Sequence, residues 1–283
     1  MENEFIEELK RTGVVKTQGI HSAETYSEWN KLLDQAFSKK GSEERTYVKM
    51  QEMHDLGILD QLFNERMRAT LLSIMPDPVL LTCHIYETAP SDKPHVFSDT
   101  FNGWHRDVNE LPGLVVNDLN FVSMFINLSN VHEESGAFEV IPESFTCQLE
   151  DGMDSFKAIG ETGSTFFWNR TLLHRASPNL SNSKRRILKI SIQHNYLQNS
   201  HILGEDFQSL KDIYEAKNDR FMQFIFGSDH TTSPCATLPV EPESVPIKNF
   251  VPFSKNSKVS VSLFSLLMGG IKYMRRARKV FGP

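Results

Sequence analysis

The chain has 283 residues, 39% hydrophobic and 23% charged, enough apolar content to fill the core of one large domain and too little Pro and Gly for a fibrous or disordered chain. A net charge of −6 argues against nucleic acid as a partner. Cys83, Cys147 and Cys235 lie far apart with no C-x-x-C pair, which argues against a disulfide framework or a zinc knuckle. Phe5, Ile6 and Leu9 form one stripe and predict a helix over 3–11, ended by Gly13, with Val14-Val15 opening a strand. Ser22 is a helix N-cap, and Trp29, Leu32, Leu33 and Phe37 carry that helix over 22–38. Leu59, Leu62, Phe63, Met67, Leu71 and Leu72 recur at helical spacing and predict a third helix over 56–74, stopped by Pro76 and Pro78.

From 79 to 197 the texture changes to short β-rich runs between Gly, Pro, Asn and Asp. Strands are expected at 79–87, 120–128, 137–141, 163–168 and 185–196. Residues 206–226 read as helical again. Helices followed by many short strands suggest a mainly β core with helices packed on it. Three segments are expected: a domain over 1–230, a proline-bearing linker or surface wrap over 231–257, and a basic C-terminal helix over 258–283.

The charge is unevenly spread. Residues 251–283 hold seven Lys and Arg and no acid, so the −6 total leaves −13 on residues 1–250. The apolar run 259–271 followed by the basic cluster Lys272 to Lys279 allows weak peripheral contact with a membrane, or docking on the core. The N-terminus MENEFIEELK is acidic where a signal peptide is basic, and no run of about 20 apolar residues exists. The expected location is the cytoplasm.

The chemistry centres on Trp104-His105-Arg106-Asp107. Alternate residues of an extended segment project to one side, so His105 and Asp107 can reach one metal ion. An H-x-D by itself is a common pattern, but His174 supplies a second imidazole. Two imidazoles and one carboxylate on one face of an iron leave three positions open, which suits Fe(II) that activates O2. A structural zinc site would close its coordination, usually with sulfur, and no cysteine is near in sequence. Eleven residues beyond His174, Arg185 starts an apolar strand, and its guanidinium can pair with a carboxylate; the competing reading is a solvated basic turn, Lys184-Arg185-Arg186.

These pieces resemble the phytanoyl-CoA dioxygenase family of Fe(II)/2-oxoglutarate oxygenases. The resemblance is carried, in the family's order, by Trp104-His105-Arg106-Asp107, by Gly136-Ala137-Phe138-Glu139-Val140-Ile141-Pro142-Glu143-Ser144, by His174 with Ser177-Pro178-Asn179, and by Arg185, over roughly residues 5–197. It implies a double-stranded β-helix (jelly-roll, cupin-like), metal ligands His105, Asp107 and His174, and Arg185 on the distal carboxylate of 2-oxoglutarate. Fe(II), 2-oxoglutarate and O2 are the implied cofactor and cosubstrates. Two departures stand out. Glu143-Ser144-Phe145 replaces the Gly-Ser-His that members often carry. Ala176 stands where many have Ser, a loss that Ser177 could make good. Asp107 is intact, which disfavours the halogenating variant.

Strand parity extends the reading to the pocket. On 185–196, Arg186, Leu188, Ile190 and Ile192 share the helix-facing side, while Arg185, Ile187, Lys189, Ser191 and Gln193 share the other. His194 falls opposite Arg185 and reads as structural. Beside Arg185, Ser123 and Ser177 are candidate cosubstrate contacts. Tyr86, His84, Arg106, Asn127 and Lys189 are candidate substrate contacts, and such a lining fits a small polar or anionic metabolite better than a long acyl chain. The expected activity is hydroxylation with release of succinate and CO2. The alternatives are a non-catalytic β-roll that binds a ligand or protein, and an oxygenase acting on a membrane-associated acyl substrate.

Overall fold

The computed structural model describes residues 2–41, 43–92, 103–108, 118–197 and 208–227. In chain order the helices are α1 (Glu2–Thr12), α2 (Ala23–Ser38), α3 (Met50–Asp55), α4 (Ile58–Leu62), α5 (Glu65–Ile74), α6 (Gln208–Ala216) and α7 (Arg220–Ile225). The strands are β1 (Val14–Thr17), β2 (Arg45–Lys49), β3 (Pro78–Thr88), β4 (Phe121–Asn127), β5 (Phe138–Val140), β6 (Phe156–Lys157), β7 (Thr165–Asn169), β8 (His174–Ala176) and β9 (Arg185–His194). They build a six-stranded sheet ordered β1-β7-β4-β9-β3-β2 and a three-stranded sheet ordered β6-β5-β8. Every strand pairing among the described residues is antiparallel. The chain is thus a double-stranded β-helix, with helices covering the outer face of the larger sheet.

Alternation along the strands divides the core into two layers. Leu188, Ile190 and Ile192 of β9 join Phe167 of β7 and Trp29, Leu33 and Leu71 of the helices in one apolar cluster. Ile187 of β9 joins Tyr86, Phe125, Phe166 and Trp168 against Phe138 and Val140 of the small sheet. The second layer is aromatic and fills the space between the sheets, where the functional side chains also point.

Local chemistry explains where the elements break. Ser22 caps α2 by accepting from the Thr25 amide. The apolar run 56–74, expected as one helix, is two, because Asn64 is extended and its side chain accepts from the Met67 amide at 2.9 Å. That cap competes with helix continuation and starts α5 afresh. Likewise 206–226 divides at Asn218, which has a positive φ of 52°, and at Asp219, which caps α7 through the Met222 amide. The linker over 231–257 and the basic helix over 258–283 lie outside the described residues. No helix among the described residues is long and apolar enough to cross a membrane.

Candidate metal centre

An isolated antiparallel bridge joins His105 to His174, the first residue of β8. Each amide donates to the other's carbonyl at 2.9 Å. This puts the two rings 4.3 Å apart between centroids. Asp107 completes the group, with Oδ1 3.7 Å from His105 Nε2 and 3.4 Å from His174 Nε2. Among the described residues these three form the one His/Cys/Asp/Glu cluster able to hold a metal, with donor atoms all within 4.8 Å.

Both tautomers follow from backbone contacts. His105 Nδ1 lies 2.9 Å from the Gly103 carbonyl, and His174 Nδ1 lies 2.9 Å from the Leu172 carbonyl. A carbonyl only accepts, so each Nδ1 carries the proton and each Nε2 keeps its lone pair for a cation. Trp168 and Phe138 flank His174 at 4.3 and 5.4 Å and exclude water from its ring. Burial drives the His174 pKa down against the pull of Asp107, favouring the neutral ring that a metal needs. At Asp107 burial works the other way, but the contacts with His105 and His174 and the charge of Arg170 outweigh it and hold the carboxyl well below the usual range. The contact with Asp107 raises the His105 pKa, so a metal would displace a proton there. With two Nε2 atoms and one charged carboxylate converging, the donor set fits a divalent metal.

Arg185 opens β9 and is 3% exposed. Its Nη1 donates to the Gly136 carbonyl, and its guanidinium lies 6.0 Å from the Tyr86 ring. Its Nε has no partner, and no described carboxylate pairs with it. Burial lowers its pKa, and the nearby charge of Arg45 lowers it further. A buried guanidinium without a counter-ion is costly, and an incoming carboxylate relieves that cost. Gly136 makes this arrangement possible: its φ is +72°, and a Cβ there would meet the Asn179 nitrogen and the Ser177 oxygen at 2.9 Å.

One cavity of about 180 Å³ connects the three donors to Arg185. Its walls include Tyr86, His84 and Lys189, which strand parity had put there. They also include Arg45 and Tyr47, which the sequence reading missed because β2 was not recognised. A signal existed: Arg45, Tyr47 and Lys49 alternate with the buried Thr46 and Val48, the period of a half-buried edge strand.

Other sequence candidates stay outside this cavity. Ser123 is fully buried and bonds Ser191 at 2.7 Å. Ser177 donates to Glu139, which Arg175 also engages, so it does not stand in for the serine missing at Ala176. Asn127 donates to the Gly160 carbonyl at 3.3 Å. Arg106 turns away from its neighbours His105 and Asp107 and binds the carbonyls of Ser144, Cys147 and Thr171, as extended alternation requires. A larger hollow of about 430 Å³ over α2 shares no lining residue with the site, and its one acid, Asp34, pairs with Arg186.

A double-stranded β-helix that gathers two histidines and an aspartate in its interior defines the class of non-haem iron, 2-oxoglutarate-dependent enzymes. The model of the phytanoyl-CoA dioxygenase family (PhyH) matches residues 16–187, and the chain belongs to that family. Fe(II), 2-oxoglutarate and O2 are the cofactor and cosubstrates of its chemistry. The matched span contains His105, Asp107, His174 and Arg185. Among solved structures, the fold resembles the non-haem α-ketoglutarate-dependent epimerase SnoN from nogalamycin biosynthesis, at 14% identity and TM-score 0.55, over 69% of this chain and 81% of that one. It also resembles the carbocyclase SnoK of the same biosynthesis, at 17% identity and TM-score 0.54, over 69% and 85%. A third likeness is to HygX from Streptomyces hygroscopicus, solved with nickel and 2-oxoglutarate, at 12% identity and TM-score 0.54, over 72% and 96%. A search of curated proteins gives no match.

Proposed function

We propose that this enzyme is a hydroxylase of a small polar or anionic metabolite, in which His105, Asp107 and His174 hold Fe(II) and Arg185 holds the distal carboxylate of 2-oxoglutarate. The observation that carries the reading is the meeting, in one cavity, of a facial donor set and a buried guanidinium that lacks a counter-ion. When bound, iron and 2-oxoglutarate supply, with O2, the oxidation of a C–H bond coupled to release of succinate and CO2. The chain's own residues bind, orient and shield. The carbonyls of Gly103 and Leu172 fix the two imidazoles. Arg185 sets the distance between the cosubstrate's far end and the donors. Phe138 and Trp168 keep water from the His174 side.

Charge in the cavity supports the substrate class. Asp107 is the one acid of the described lining, whereas Arg45, Arg175, Arg185 and Lys189 are cations, of which Arg175 pairs with Glu139. One of these serves 2-oxoglutarate in this reading. Arg45 and Lys189, with the polar groups of His84 and Tyr86, line the same cavity and suit an anionic or polar substrate. A screen of metabolites by succinate release, with mass spectrometry of the products, tests this. The reading requires anionic or hydroxylated compounds to stimulate succinate release and gain one oxygen; stimulation by long acyl chains alone contradicts it. The basic 258–283 segment supports weak, salt-sensitive contact with anionic membrane. Co-sedimentation with anionic liposomes at low and high salt checks that contact, and an unbound chain at low salt rules it out.

A further inference from the structure

Arg170 lies between β7 and β8 and reaches Asp107. Its Nε donates to Asp107 Oδ2 at 3.0 Å, and its Nη2 lies 2.9 Å from the same oxygen. Both contacts fall on one carboxylate oxygen. The other, Oδ1, is the atom 3.4 and 3.7 Å from the two imidazole Nε2 atoms. The backbone of Arg170 is pinned as well: its amide donates to the Phe121 carbonyl at 3.0 Å, and its carbonyl accepts from the Val108 amide at 3.3 Å. The pair is largely shielded, with side-chain exposures of 12% and 20%. A guanidinium so held neither rotates freely nor competes for Oδ1.

We propose that Arg170 is a positioning residue that reserves Oδ2 and so makes Asp107 a one-atom donor. The inference rests on the reading of His105, Asp107 and His174 as the metal ligands. A carboxylate free at both oxygens can chelate and take two positions on a metal, whereas one atom from each of three residues leaves three positions open. Those positions admit the cosubstrate and O2, so Arg170 protects cosubstrate access rather than metal affinity. The alternative is a purely structural ion pair, whose loss would lower stability and metal affinity together.

The two roles separate in full-length protein loaded anaerobically with Co(II), whose visible absorption reports coordination number. Arg170→Ala is expected to bind Co(II) within about tenfold of wild type, because Oδ1 is still present. Its affinity for 2-oxoglutarate, titrated through the Co(II) spectrum, is expected to fall at least about tenfold, within the range typical for loss of a group that orients a ligand. Arg170→Lys, which keeps the charge and a donor, is expected to recover part of that loss and serves as the test if Arg170→Ala does not fold. Unchanged 2-oxoglutarate binding, or parallel loss of Co(II) and 2-oxoglutarate binding, overturns the inference. Asp107→Ala separates this from the site itself: if it still binds Co(II) like wild type, the ligand assignment fails. If Asp107→Ala loses Co(II) while both Arg170 variants behave as wild type, only the role of Arg170 fails.

Discussion

Arg185 and Arg186 are chain neighbours that the pleat of β9 sends to opposite sides of the sheet. Arg185 enters the cavity, while Arg186 bonds Glu87, Asp34 and Asn30 on the helix side. Two adjacent guanidiniums therefore have separable roles. Arg185→Ala is expected to raise the 2-oxoglutarate requirement at least about tenfold, since a charge-assisted pair contributes about 1.5–3 kcal/mol. Arg186→Ala is expected to leave that requirement near wild type and to cost about 1–3 kcal/mol of stability, because the buried Glu87 loses a partner and keeps Lys184. Titrating both variants with 2-oxoglutarate, alongside urea unfolding, checks this. Equal effects on the cosubstrate would refute the division of roles.

Gly136 links the backbone to Arg185. Its positive φ and the 2.9 Å approach of backbone atoms from Ser177 and Asn179 leave no room for a side chain. Gly136→Ala is expected to destabilise by roughly 2 kcal/mol or more, through αL strain together with a displaced neighbouring loop. It should also weaken 2-oxoglutarate binding, because the Gly136 carbonyl accepts from Arg185. Thermal unfolding and cosubstrate titration of the variant give the two readouts, and a variant as stable as wild type contradicts the argument.

Position 143 is the reverse case. Glu143 has a φ of 61°, in the region where glycine is at ease, and the resemblance placed a glycine at this turn. Its carboxylate pairs with Arg11 at 3.0 Å, with both side chains well exposed, a contact worth little. Glu143→Gly is expected to be neutral or stabilising by up to about 1 kcal/mol, and Glu143→Val destabilising by about 1 kcal/mol or more. Paired urea unfolding curves decide, and a Glu143→Gly protein less stable than Glu143→Val contradicts the reading.

Much of the site was legible because alternation is a local rule. Once 185–196 reads as a strand, Arg185 and Lys189 must share a side, and the structure puts both on the cavity. The helix N-cap at Ser22 was legible for the same reason, since cap and amide lie three residues apart. What escaped depends on contacts between distant segments. The run 56–74 has an unbroken helical period, so the break at Asn64 comes from its side chain and from what lies beneath it. Arg170 looks like any turn residue until β7 and the 103–108 segment meet. Ser123 was placed on the correct face, and what the sequence did not show is that its hydroxyl lies 2.7 Å from that of its cross-strand neighbour Ser191.

His21 gives the protein an acid-sensitive stability. It packs 4.9 Å from Trp29, lies 3.0 Å from Asn64 through Nδ1, and leaves Nε2 buried without a partner. Burial, aided by the charge of Arg66, pushes its pKa down to about 4. In the unfolded chain a histidine titrates near 6.5. Between those values the unfolded state binds more protons, so stability is full above about pH 6.5 and is lost as pH falls toward about 4. The loss from this residue is on the order of 3 kcal/mol at most. Replacing it by Phe is expected to flatten that part of the pH–stability curve, measured by urea unfolding between pH 7 and 4. An unchanged slope would show that the acid sensitivity lies elsewhere.

The central claim is that His105, Asp107 and His174 act as one iron site serving 2-oxoglutarate chemistry. The direct measurement is anaerobic Fe(II) binding to wild type and to His105→Ala, Asp107→Ala and His174→Ala, followed by succinate formation when O2 and 2-oxoglutarate are admitted. Wild type is expected to bind one Fe(II) per chain and to form succinate, and each variant to lose most of its iron affinity and nearly all turnover. A His174→Ala protein that keeps wild-type iron affinity and succinate formation would contradict the account.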